Sequence, residues 1–184
     1  MGILTDYLRA PGAEVVVRAM EEETKRNMFE MGLLDVELAD DELGEPAFGE
    51  GLSALGKVDA TGMDDDSLLP ELIAVIRRVP MSRELVKQTM VWPITPPPGP
   101  DGPVEDDPWA TGPWVWEFDA GVRDTLAGVP KAGLPEVAAR WARSDAVRTY
   151  GTQADELLPL VRRLTRFARE ARANDEQLYC LTSL

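Results

Sequence analysis

The chain has 184 residues, 44% of them apolar, with a formal net charge of −14, no histidine and one cysteine. That length and apolar content suit one domain with a real core rather than a disordered acidic tail. The missing histidine excludes Ser-His-Asp and Cys-His catalysis, imidazole general bases and ordinary zinc sites, and Cys180 alone cannot close an internal disulfide.

The negative charge is concentrated. Between residues 27 and 66 twelve acids (Glu30, Asp35, Glu37, Asp40, Asp41, Glu42, Glu45, Glu50, Asp59, Asp64, Asp65 and Asp66) face one base, Lys57. Such a field repels nucleic acid and anionic membranes and favours a basic partner, while also serving solubility. Most of the basic residues are arginine, a bias that fits a high-GC bacterial genome. No apolar run approaches the ~20 residues needed to span a bilayer, and no signal pattern opens the chain. With a single cysteine, the expected location is the cytoplasm.

Residues 2–9 (GILTDYLR) read as a short strand, followed by Pro11 in the first turn of a helix through 13–22 and on towards Met31, with Gly32 as its stop. Val15, Val16, Ala19 and Met20 form the expected buried face. Residues 33–38 and 52–58 are candidate strands. Asp66 or Ser67 caps a helix over 68–78, with Leu69, Leu72, Ile73 and Ile76 at helical spacing, and residues 81–84 open a short helical turn.

Residues 91–119 hold four of the five tryptophans (Trp92, Trp109, Trp114, Trp116) and eight of the fifteen prolines (Pro93, Pro96, Pro97, Pro98, Pro100, Pro103, Pro108, Pro113). Each proline lacks an N–H and fixes its own φ, so a continuous helix is ruled out and a stiff loop is expected over 93–113. Residues 114–118 read as a strand, with Trp114, Trp116 and Phe118 on one side if alternation is strict. At least one of Trp114 and Trp116 is expected in the core. Trp92 and Trp109 flank the acidic tip (Asp101, Glu105, Asp106, Asp107) and suit a lid or partner surface. Pro96–Pro100 resembles a polyproline II ligand without the flanking base of a typical SH3-type motif.

Asp119 caps a helix over 120–127, and residues 134–142 form the next, with Pro135 in its first turn. The clearest element is a helix from about Gln153 to Asn174, whose Leu157, Leu160, Val161, Leu164, Phe167, Ala168 and Ala171 make one apolar stripe. Pro159 either kinks it or moves its start to about Leu158. Residues 178–184 close the chain as a strand. Strands at both ends with helices between predict a single α+β domain, with the terminal strands paired in one sheet.

Few constellations carry chemistry. Cys180 lies in an apolar strand with no cationic activator near it in sequence, which describes a buried inert thiol. Gly99, Gly102 and Gly112 do not make a phosphate loop. Glu117 and Asp119 beside the tryptophans offer a glycosidase-type pair, although Asp119 reads better as a cap. Asp64, Asp65 and Asp66 lack the alternation of a calcium loop. Arg162, Arg166 and Arg169 share one face of the last helix, either as a ridge for an acidic ligand or as internal charge balance and a complement to the helix dipole. No cofactor and no metal site are expected.

The run PWVWEFDAGVRDTLAGV, the helix around Trp141 and the final LLPLVRRLTRFAREARANDEQLYCLTSL, with the Met-Gly-initiated strand, resemble a group of small actinobacterial proteins and, more distantly, the DUF1877 (YfbM-like) proteins. The resemblance covers roughly the first ten and last seventy residues; it implies an α+β architecture and supplies no catalytic motif or function. Two readings follow from the residues. The first is a non-enzymatic protein-binding module, regulatory or of the immunity/antitoxin kind, with a basic partner and a surface of Trp92, Trp109, Trp114, Trp116, Asp106 and Asp107. The alternative is a small hydrolase or sugar-binding protein with carboxylates and indoles in one cleft.

Overall fold

A computed structural model describes residues 4–32, 50–60, 67–105 and 107–183. In chain order its elements are β1 (Leu4–Ala10), α1 (Ala13–Glu30), β2 (Gly56–Asp59), α2 (Leu68–Arg77), β3 (Gln88–Trp92), α3 (Pro108–Thr111), β4 (Trp114–Phe118), α4 (Ala120–Gly128), α5 (Leu134–Trp141), α6 (Asp145–Tyr150), α7 (Ala154–Ala173) and β5 (Gln177–Ser183). The α+β class is as the sequence predicts. The five strands form one antiparallel sheet in the order β2-β1-β5-β4-β3, and β1 and β5 pair along their full length from Leu4–Ser183 to Ala10–Gln177.

The sheet is covered on both faces because its central strands are apolar at successive positions. Tyr7, Phe118, Leu178 and Cys180 point into the larger core, built with Leu69, Leu72, Leu126, Trp141, Leu164 and Phe167 of the helices. Leu8, Ala10, Val115, Tyr179 and Leu181 point to the other face, where α1 lays Val16 and Met20 on them. Continuous apolar runs are the signature of strands buried on both sides. Cys180 is buried in this layer, as its strand context indicates. Among the described residues no helix is long and apolar enough to cross a membrane.

Several boundaries differ from the sequence expectation. Pro11 lies just outside α1, whose N-cap is Gly12, and of the expected apolar face Val16, Ala19 and Met20 are buried while Val15 is half-buried. Residues 52–58 are not one strand: a 3-10 turn, Gly51–Ala54, precedes β2. Ser67 is the N-cap of α2, while Asp66 and the candidate strand at 33–38 lie outside the described residues. The turn near 81–84 is a 3-10 helix, Arg83–Leu85, capped by the Ser82 hydroxyl. Strand β3 and helix α6 carry too little periodicity to be expected from sequence. Helix α7 continues through Pro159, and a reciprocal capping box between Gln153 and Glu156 fixes its start upstream of the proline.

Candidate functional site

The tryptophan- and proline-rich segment is the connection of the outer hairpin, leaving β3 after Trp92 and returning into β4 at Trp114. Its prolines deny it a ladder, so indoles and short side chains hold it instead. The Asp107 carboxylate accepts the Trp109 backbone N–H at 2.9 Å and caps α3, which opens on Pro108. Trp109 Nε1 donates to the Thr95 carbonyl (3.2 Å) and hydroxyl (3.1 Å), closing the loop on itself. Trp114 Nε1 donates to the Trp109 carbonyl at 3.2 Å. Gly112 (φ +69°) lies under the Trp114 ring, where a Cβ would come within 3.0 Å of the indole, so both backbone and contact require glycine. The peptide bonds Trp92–Pro93 and Gly112–Pro113 are cis.

The clustered tryptophans do not share one surface. Strand pairing places Trp92 opposite Val115, on the face under α1, where it packs half-buried against that core. Trp114 and Trp116 pair with Thr182 and Cys180 on the opposite face. Neither is a core residue: both are half-buried, and Val115 and Phe118 are the buried positions of β4. The physical reason is the indole N–H of Trp114, which finds its acceptor in the adjoining loop and so keeps the ring at the margin. The tryptophan that is buried is Trp141, at 1% exposure. Asp107 is a helix cap rather than a free acid, and Asp106 lies outside the described residues.

What the loop leaves uncovered is apolar and acidic. Ile94 and Val104 are 60% and 73% exposed, and Asp101 and Glu105 of the same loop are exposed as well. The sequence signal of Ile94 and Val104 is faint: each is an isolated large aliphatic among prolines and acids, with no strand or helix to bury it.

Asp119 accepts the Val122 N–H at 3.1 Å and caps α4, so it is engaged as a cap and does not serve Glu117 as the second carboxylate of a glycosidase pair. Glu117 is half-buried, and burial, with the Glu14 charge added, raises its carboxyl above the ordinary 4.5. A carboxyl raised in the fold contributes stability that is complete below its unfolded pKa and lost as pH rises through the folded value. Glu117→Gln is therefore expected to raise Tm by on the order of 2 °C at pH 7, and the gain should vanish as pH falls below 4.5. A gain of the same size at both pH values would contradict that assignment.

The arginine ridge has a structural role in part. Arg169 donates to the Ala127 carbonyl at 3.2 Å and to the Val129 carbonyl, capping the end of α4, and Arg166 lies 3.9 Å from Glu170. Arg162 is exposed. A separate cleft of about 280 Å³ opens beside α2, α5 and α6. Among the described residues no group of three or more His, Cys, Asp or Glu side chains could hold a metal, and residues 64–66 lie outside them. Comparison of the chain with protein-family models, with curated proteins and with solved structures yields no match.

Proposed function

We propose that the protein is a non-enzymatic binding module, of a regulatory or immunity/antitoxin kind, whose loop over residues 93–113 docks on a basic protein partner. One observation carries this reading. A loop braced by three indole hydrogen bonds and eight prolines holds Ile94 and Val104 out in solvent at 60% and 73% exposure. A pre-ordered loop loses little entropy on binding, so its exposed aliphatics can contribute most of their burial to affinity. The exposed Asp101 and Glu105 of the same loop, and the net charge of −14, favour a cationic counterpart. The resemblance to the actinobacterial and DUF1877 (YfbM-like) proteins, a soluble cytoplasmic setting and the absence of nucleic-acid partners belong to the same proposal.

The test is affinity purification from the native organism with wild type, Ile94→Arg/Val104→Arg and Trp109→Ala as baits. A specific partner retained by wild type, released by salt and reduced at least about tenfold with the arginine variant supports the docking surface. Equal retention by all three baits places binding elsewhere. The raised carboxyl of Glu117 favours a second reading, a sugar-binding or hydrolytic cleft. It requires tryptophan fluorescence that shifts saturably with a neutral glycoside, and a flat titration removes it.

A further inference from the structure

Tyr179 is 0% exposed, yet its hydroxyl has no hydrogen-bond partner among the described residues. An orphaned buried hydroxyl is costly and rare, and it calls for an explanation. The sheet supplies its surroundings. Tyr179 on β5 is paired with Glu117 on β4, which is paired in turn with Thr89 on the edge strand β3. This row belongs to the face covered by α1, and the first turn of α1 brings Glu14 close enough for its charge to act on both Glu117 and Tyr179. From solvent inward the oxygens are graded: Glu14 and Thr89 exposed, Glu117 half-buried, Tyr179 buried.

No cation answers them among the described residues. Lys57, at the far end of the same row, is held by Asp6 at 2.6 Å. Arg9 is turned to the opposite face, paired with Glu176 and lying over the Phe167 ring. Arg18, one turn along α1 from Glu14, is exposed and makes no ion pair with either glutamate. Burial, then the two glutamates, raises the Tyr179 hydroxyl, so it stays neutral and can accept a hydrogen bond. Two carboxylates that repel each other beside an unpartnered phenol form a site stabilised by a positive guest.

We propose that Glu14, Glu117 and Tyr179 bind a primary alkylammonium group, carried by a free amine or by a lysine side chain. An ammonium presents three N–H donors, and the site presents three acceptors from three different elements. Its alkyl stem is met by half-buried apolar neighbours packed on the same face, Val91 and Trp92, and the Trp92 ring also suits a cation. A calcium ion is a poorer guest, because it takes six to eight oxygens, and the site reaches six side-chain oxygens only if both carboxylates bind through both oxygens and the Tyr179 and Thr89 hydroxyls join them. Occupancy of this site is independent of what the 93–113 loop docks on.

The experiment is a thermal-shift and calorimetric titration of the full chain with n-butylammonium chloride and with N-acetyl-lysine methylamide, each against sodium chloride at equal ionic strength. A saturable rise in Tm beyond that of sodium chloride is expected for wild type. Glu117→Gln is expected to weaken it about tenfold, the exposed Glu14→Gln and the near-isosteric Tyr179→Phe to weaken it measurably, and the remote Glu84→Gln to leave it unchanged. Binding of butylammonium alone identifies a small-amine site; binding of the lysine derivative as well identifies a side-chain site. Shifts equal to sodium chloride with both amines overturn the proposal, as do shifts that survive both glutamate substitutions.

Discussion

Trp141→Ala is expected to lower stability by about 3–5 kcal/mol, the largest loss from any single tryptophan. Trp141 closes α5 at 1% exposure, in the core shared with Leu72, Leu126 and Leu164, so truncation leaves a cavity that rigid helices cannot fill. Against a typical net stability of ~5–15 kcal/mol, that is a large fraction. Trp109→Ala is expected to remove only about 1 kcal/mol, because its half-buried ring and two bonds to Thr95 brace the loop and not the core. The Trp141 Nε1–H is buried without an acceptor among the described residues, so Trp141→Phe removes an unsatisfied donor together with some apolar area. It should fall well short of the alanine loss, at about 1 kcal/mol or less. Urea unfolding of the three variants separates these values. Comparable losses for Trp109→Ala and Trp141→Ala would mean that the loop and the core unfold as one unit.

That ordering reverses what clustering in the sequence invites. Four tryptophans close together draw attention to residues 91–119, whereas the one that fills the core stands alone between Arg140 and Ala142. What was legible is what depends on local period and local chemistry. The stripe of α7, the Asp119 cap, the glycine stop after α1 and the terminal strands all have short-range signals, and the structure contains each of them. Whether a tryptophan turns inward depends on strand register, set by partners tens of residues away, so Trp92 and Trp116 fall on opposite faces without any local sign. The grouping of Glu14 with the Glu117–Tyr179 pair is hidden in sequence for the same reason. In sequence Glu117 stands out only beside the nearby Asp119, while its neighbours in space come from α1 and β5.

Glu71 is the second residue whose loss is expected to be severe, and sequence gives it no prominence among thirty-three acids. It lies on α2 between Leu69, Leu72 and Ile73, which are fully buried, and is itself only 8% exposed. Its carboxylate reaches across to the start of α6, accepting the Ser144 hydroxyl and the Ala146 N–H at 3.0 Å. A carboxylate supplied from another helix thus does the work of an N-cap, and charge-assisted bonds of this kind exceed neutral ones. Glu71→Ala strands the Ala146 N–H and frees α6, whose Val147 is part of the core, so a loss of about 2–4 kcal/mol is expected. Glu71→Gln keeps an acceptor for Ala146 and an amide that the rotatable Ser144 hydroxyl can accept, so about half that loss should remain. Ser144→Ala alone should lose about 1 kcal/mol. In the double variant Glu71→Ala/Ser144→Ala the losses should be less than additive, since the serine has no carboxylate left to bind. Strict additivity in that cycle would show that the two side chains act independently and that α6 is held by packing alone.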